Sequence, residues 1–362
     1  MTLHADKNDW PARLTAALRA AGSPVADATP EILADTGLAH LHLRLPGSGM
    51  LARVPKQSQM QLHAIENLAY QAACFERMAP SGHTPRFFGL LHPSEHLPRG
   101  ALLVQEIVGR PARLPDDLPA LVQALAAIHS LPPPKREARP PLLDPVDPLA
   151  ALLKEIEAQA VHLSSTLVVP LSRTRIEALL QRVRRQMSCC IGTPHRLIAF
   201  DAHPGNFLIR PDGDAVLVDL EKGRYGLPAL DVAHATLYTS TTWDGRHRVA
   251  LNAATTADTY RRWQAVLGLE AAGSRNSWLV LRAAMWLWSV TWCAKWLVNS
   301  ARVVDRGATG EDWSSALSAD SLVDHVRERV QHYLSPVVVE QVVSGFDDLA
   351  VELEGYASPL IG

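Results

Sequence analysis

The sequence predicts an α+β chain of two lobes, the first rich in strands and the second mainly helical, and three observations carry that prediction. The stretch "ILADTGLAHLHLRLPGSGMLARVPK" alternates apolar and polar residues around a Pro-Gly-Ser-Gly turn at residues 46–49, a hairpin pattern. A strongly apolar run, "ALLVQEIVG", fills residues 101–109. From Leu118 onward the apolar residues recur at helical spacing, and strand patterns return only between Asn206 and Asp219. With 362 residues, 47% hydrophobic and 20% charged, the chain is long enough to bury a large core and to divide. The division is placed between residues 107 and 108, giving a first lobe of 1–107 and a second of 108–362.

In chain order, an amphipathic helix is expected at 10–22, then the hairpin, a helix over 59–78, and strands at 87–91 and in the run from 101. The segment "LPPPKREARPPLLDPVDP" is too rich in proline for a helix and reads as an exposed connection. After the helix that begins at Leu118, helices are expected at 148–162, 171–188, 229–239, 246–267, 277–300, 320–334 and 336–354. The run "WLVLRAAMWLWSVTWCAKWLVN" has the length of a membrane span, but Arg282 and Lys295 lie well inside it. A buried helix is the cheaper solution.

A net charge of −2 offers no general attraction to nucleic acid or to an anionic membrane. Four cysteines without a CxxC pair, and a start unlike a signal peptide, point to a reducing, cytoplasmic setting. Composition does not reveal an oligomeric state.

The chemistry concentrates in "LIAFDAHPGNFLIRPDGDAVLVDLEK". Short apolar strands at 206–209 and 215–219 flank Pro211-Asp212-Gly213-Asp214, residues that favour tight reversal. Such a hairpin brings Asn206 beside Asp219, and Asp201 on the preceding loop can face the same spot. Two carboxylates and an amide oxygen form a hard oxygen site suited to Mg²⁺ with phosphate. A carboxylate outside the metal shell can orient a hydroxyl and accept its proton.

Asp201-Ala-His-Pro-Gly-Asn206, followed by Val218-Asp219-Leu220-Glu221, resembles the catalytic loop and metal segment of the aminoglycoside phosphotransferase and choline kinase family. These are small-molecule kinases with a bilobal protein-kinase-like fold. The resemblance implies transfer of the ATP γ-phosphate to a hydroxyl of a small metabolite. Asp201 would be the catalytic base, with Asn206 and Asp219 holding Mg²⁺. It makes "LLVQEIVGRPA" the hinge, where Gln105, Glu106 and Ile107 would meet adenine through their backbone. In the first lobe it makes Arg53 the phosphate ligand, with Lys56 as the second choice, and Glu66 the partner of that cation, ahead of Glu76. Gly37 is the one glycine of the candidate phosphate-covering loop. Asp231 reads as an acidic cap that also ties down the preceding loop, and His129 as a packed helix-end histidine.

Two positions depart from the family pattern. Ala199 stands where the family usually has a loop-supporting histidine, and Leu220-Glu221 stands where protein kinases have Phe-Gly. His203 raises a metallohydrolase with Asp and His ligands as a minor alternative. Trp288, Trp292 and Trp296 recur every fourth residue, with Leu281, Met285 and Trp278 near the same stripe, and fit either a packed core or an aromatic cage for a cationic amine. Trp243 and Asp244 are candidates for the pocket border. Amino alcohols, aminoglycosides and sugars all remain open as acceptors, although a late acidic cluster suited to a polycation is missing. A catalytically weak nucleotide-binding pseudokinase and a protein kinase are the competing readings.

Overall fold

A computed structural model of the chain describes residues 9–34, 37–165, 167–244, 247–300 and 319–354. Helix α1 (Trp10–Ala20) lies against an antiparallel sheet of β1 (Glu31–Ile32), β2 (His40–Leu45), β3 (Met50–Pro55), β4 (Phe87–Leu91) and β5 (Ala101–Gln105), in the order β1-β2-β3-β5-β4. The turn at 46–49 places Leu45 opposite Met50 and His42 opposite Arg53. Apolar residues of α1 and the sheet, including Leu14, Leu18, Leu43, Ala52 and Leu103, form the first-lobe core. Helix α2 (Ala64–Met78) connects β3 to β4. It starts five residues later than 59, because residues 58–61 form a turn, with Gln61 N–H donating to the Ser58 carbonyl (3.2 Å), and the chain stays irregular to 63.

The apolar run from 101 stays in the sheet only to Gln105. The chain then crosses to β6 (Arg110–Pro111) and α3 (Leu118–His129). The proline-rich connection is mostly exposed, as expected, though Leu142 is buried. Next come α4 (Pro148–Ala160), α5 (Pro170–Gln186), β7 (Arg196–Ile198), β8 (Phe207–Ile209), β9 (Ala215–Leu217) and β10 (Arg224–Gly226). The expectation that strands after Leu118 lie only between Asn206 and Asp219 is therefore corrected. β7 pairs antiparallel with β10, and each is only three residues long, too short to show a period.

The remaining described residues are mainly helical: α6 (Ala229–Thr236), α7 (Tyr238–Thr241), α8 (Ala253–Leu267), α9 (Leu269–Ala272), α10 (Arg275–Ser300), α11 (Asp320–Tyr333) and α12 (Pro336–Glu354). Of the helix expected at 246–267, residue 246 lies outside the described residues, and the helix itself begins at Ala253. The tryptophan-rich run is α10, the central helix of this lobe, and no helix among the described residues is long and apolar enough to cross a membrane. Its buried Arg282 donates to the Thr236 hydroxyl (2.6 Å) and carbonyl (3.0 Å) at the end of α6, so the charge is hydrogen-bonded rather than stranded.

Candidate active site

β7 delivers the chain to Ala199, Phe200 and Asp201. Asp231, in the first turn of α6, accepts hydrogen bonds from the backbone N–H of Ala199 (2.7 Å) and of Phe200 (2.8 Å). It also accepts from Nε2 of His129 (3.0 Å), whose Nδ1 in turn accepts from the Trp263 indole N–H (3.0 Å). This arrangement requires the His129 tautomer protonated at Nε2. Phe200 holds φ at +62°, a left-handed conformation that two backbone bonds to one carboxylate keep in place. Asp231 thus fixes the loop, and its oxygens are spent on the loop rather than on capping α6. Ala199 is fully buried, and the anchor at its position is its backbone N–H.

The candidate reacting residues are placed by the hairpin. β8 and β9 pair Phe207 with Leu217, and Val218 N–H donates to the Asn206 carbonyl (2.9 Å). Asn206 Nδ2 donates to the Asp201 carbonyl (2.9 Å), which leaves Oδ1 as its oxygen for a metal. Asp219 receives Arg53, whose guanidinium reaches Asp219 Oδ1 (2.7 Å) and the Val218 carbonyl (2.7 Å) from β3. Burial raises the Asp219 pKa, but Arg53 and His40 outweigh it and hold the carboxyl down at about 2. Asn206 is thus bonded to Asp201 and Arg53 to Asp219, and the Val218 backbone links the two pairs through its N–H and its carbonyl.

Other expected residues lie elsewhere. Glu66 is exposed in the first turn of α2, and among the described residues it forms no ion pair with Arg53. The buried polar residues in the first half of that helix are Asn67 and Gln71. Gln71 Oε1 bonds His40 Nε2 (2.9 Å), while His40 Nδ1 faces Arg53 (3.3 Å). The Arg53–Glu66 pairing is thus corrected: Arg53 is paired with Asp219. Glu76 is exposed as well, and Lys56 Nζ donates to the Gly37 carbonyl (2.8 Å). At the hinge, Gln105 N–H donates to the Arg86 carbonyl (2.8 Å) and Glu106 N–H to the Gly49 carbonyl (2.9 Å), so both are already committed. The Glu106 carboxylate accepts from Arg44 (2.6 Å), and Ile107 begins the irregular link to β6.

Lys222, His234, Glu221 and His40, to which the sequence assigned no role in the site, complete the cluster together with His203. Lys222 Nζ donates to Asp201 Oδ2 (2.8 Å) and stands 5.1 Å from the Trp288 ring centre. Burial disfavours charge on both partners, yet their mutual attraction keeps Asp201 below and Lys222 above the ordinary value. His234 Nδ1 lies 3.6 Å from Asp201 Oδ1. Burial holds the His234 ring neutral, and it lowers His203 to about 4. Glu221 is buried with Oε1 lacking a hydrogen-bond partner, and burial together with Asp219 pushes its carboxyl up to about 8. Ligand atoms of His40, Asp219 and Glu221 all lie within 4.8 Å of one another.

Glu221 had a local signal, the spacing Asp-x-Glu. Lys222 had none: it reaches Asp201 because the chain reverses from Leu220 to Gly223 (N–H to carbonyl, 3.0 Å). A Cβ on Gly223 would meet Met78 Cε at 2.6 Å and Cys74 Sγ at 3.1 Å, so α2 packs directly on that turn.

The donor set fits a hard divalent cation. Asp219, Glu221 and Asn206 offer oxygens, and the partnerless Glu221 oxygen is a buried acceptor awaiting a cation. His40 has both nitrogens engaged by Gln71 and Arg53, and His203 Nδ1 accepts from Gly205 N–H (2.8 Å). A histidine-ligated hydrolase centre is therefore disfavoured.

The expected tryptophan stripe divides. Trp278 stacks on Tyr260 (5.4 Å) and Trp296 is buried in the core. Trp288 turns toward the loop, meeting the Phe200 ring edge-on at 5.1 Å. Trp292 meets Trp243 at 6.2 Å, and Trp243 meets His203 at 6.3 Å, which places Trp243 beside the site.

Residues 12–266 match the family model of the Phosphotransferase enzyme family. A search of curated protein sequences returns no significant match. Among solved structures, a choline/ethanolamine kinase family protein from Mesorhizobium loti is 17% identical, with a TM-score of 0.56 over 94% of this chain and 98% of that one. Choline kinase from Cryptosporidium parvum is 13% identical, with a TM-score of 0.52 over 90% and 93%. Aminoglycoside phosphotransferase APH(3'')-Id from Streptomyces rimosus, in complex with ADP and streptomycin, is 17% identical, with a TM-score of 0.51 over 78% and 98%. At these identities the likeness is one of fold, the kinase-like α+β fold with an antiparallel first lobe and a helical second.

Proposed function

The chain belongs to the phosphotransferase enzyme family, and from that premise we propose that it moves the γ-phosphate of ATP to a hydroxyl of a small metabolite. Residues 1–107 serve the nucleotide and residues 108–362 the acceptor. In this reading the acceptor oxygen forms a bond to the γ-phosphorus as the bond to the β–γ bridging oxygen breaks. ADP leaves, and the hydroxyl proton passes to Asp201. Asp201 Oδ2 is held by Lys222, so Oδ1, on the His234 side, is the oxygen that takes the proton.

Asn206 and Asp219 hold Mg²⁺, with Glu221 as a further oxygen donor, and bound Mg²⁺ supplies charge neutralisation at the phosphates. Arg53 leaves Asp219 for phosphate oxygens, which its planar fork can grip in pairs. With the Gln105 and Glu106 N–H groups committed, adenine pairing falls to hinge carbonyls and to Ile107.

One observation carries the reading: the bonds from Asn206 to Asp201 and from Val218 to Asn206 gather base and metal donors at the open end of one hairpin. The test is a thermal-shift series with ATP and Mg²⁺, followed by turnover on a panel of hydroxyl compounds. Stabilisation that needs both nucleotide and metal is expected. A protein stabilised in this way that turns over no acceptor would instead be a nucleotide-binding pseudokinase. That second reading draws on the two internal cations already seated on Asp201 and Asp219.

A further inference from the structure

An aromatic pocket next to a carboxylate attracts a cationic amine because ring faces and acid both favour positive charge. Here those positions are filled from within the chain. Lys222 sits over the Trp288 ring and on Asp201. On the neighbouring side, Arg224 Cζ lies 3.7 Å from the Phe200 ring centre, and its Nη1 bonds Glu155 Oε1 (2.7 Å). Glu155 is the same carboxylate that accepts from the Trp288 indole N–H (3.2 Å). Two acids and two ring faces bordering the loop are thus each matched by an internal cation.

Beside Asp201 on the α6 side, what remains unmatched is polar and neutral. Nδ1 of His234 and Nε2 of His203 are buried without a hydrogen-bond partner. Both rings are held uncharged by burial, although Asp201 favours charge on both rings and Asp244 on His203. Because His203 Nδ1 accepts from Gly205 N–H, its Nε2 carries the ring proton and can donate to a hydroxyl, and the orphaned His234 nitrogen offers such a ligand a second polar contact. Trp243, 6.3 Å from His203, adds an apolar ring.

Resting on the phosphotransferase reading and naming its acceptor class, we propose that Lys222 and Arg224 stand in for the cation that an amine-accepting kinase would bind, so that the acceptor is an uncharged polyhydroxyl compound, a sugar or polyol. Lys222 is then a specificity-determining residue: its ammonium repels an amine at the catalytic carboxylate and occupies the ring face that would receive it.

The experiment has a binding arm and a turnover arm. Choline is titrated calorimetrically into the wild type and into Lys222→Met, each with ADP and Mg²⁺, after circular dichroism and melting show both to be folded. Choline should bind the variant at least about tenfold more tightly, a difference of about 1.4 kcal/mol. Adding Trp288→Leu to Lys222→Met should remove that gain, an effect that a general loosening of the fold would not produce. Equal choline affinity in wild type and Lys222→Met overturns the proposal.

In the turnover arm, kcat/KM of the wild type for neutral sugars and polyols should exceed that for choline, ethanolamine and aminoglycosides by about tenfold or more, with the ratio falling in Lys222→Met. A wild type that prefers any of the amines overturns the proposal. If neither protein transfers phosphate to anything, the phosphotransferase reading fails, while the choline titration still decides whether Lys222 excludes cations.

Discussion

The loop from Ala199 to Asn206 has two sides built on opposite terms. On the α6 side, Asp231 is fully buried and accepts from two backbone N–H groups and His129, and His129 is itself bonded to Trp263. On the side that faces Asp201, Glu221 Oε1, His203 Nε2, Arg53 Nε and, from the last turn of α6, His234 Nδ1 are all buried without a hydrogen-bond partner. Buried polar groups are nearly always satisfied in a folded protein. A chain that satisfies one face of a loop completely and leaves the other in deficit has separated holding from reacting, and the deficit marks where ligands belong.

The largest expected effect tests the holding side. Replacing Asp231 with Ala strands His129 and two backbone donors, and should cost about 3–5 kcal/mol in urea unfolding, as breaking a buried charged network does. An unchanged midpoint would erase the contrast.

Asp201→Asn tests the reacting side. Turnover should fall by about 10²–10⁴ while the variant still folds and binds nucleotide. Loss of structure in step with turnover would mean that Asp201 holds the loop as Asp231 does.

A smaller effect comes from the deficit itself. Burial and Asp219 raise Glu221 to about 8, so the folded state keeps its proton to higher pH than the unfolded state. Its favourable contribution is complete below the ordinary carboxyl range and is lost as pH rises through about 8. In metal-free buffer Glu221→Gln should therefore melt above the wild type at pH 9, with the gap closing toward pH 4. A gap independent of pH would show that Glu221 is already ionised.

The smallest effect concerns Ala199. Because the anchor is a backbone N–H and the side chain is fully buried, Ala199→His should not raise turnover and should cost about 1 kcal/mol from crowding. A clear gain in turnover would show that the loop lacks support after all.

Much of this architecture was legible in the sequence because its signals are local. Helical periods marked α3 to α6, α8 and α10 to α12 but not the four-residue α7 and α9, and the Pro-Gly-Ser-Gly turn marked the β2–β3 hairpin. Asp201, Asn206 and Asp219 were legible because the hairpin between them is short. The three-residue strands β7 and β10 were not, since pairing rather than pattern defines them. Glu66 was misplaced because α2 begins at Ala64 and turns that position outward, leaving Gln71 to face the sheet. Lys222, His234 and Glu155 meet the site across gaps of 21 to 133 residues, and the Trp stripe split because one helix face serves core and pocket in turn. No windowed pattern carries such contacts.

The Arg53–Asp219 pair has a consequence for the order in which the site loads. Under the proposed function, a guanidinium tethered on β3 competes with free Mg²⁺ at high effective concentration, so metal alone would meet an occupied carboxylate. A nucleotide arriving with its metal brings phosphates that draw the guanidinium away in the same event. Under the proposed function the two ligands then favour each other's entry by one shared amount of free energy, and the pair resists metal that arrives without a nucleotide.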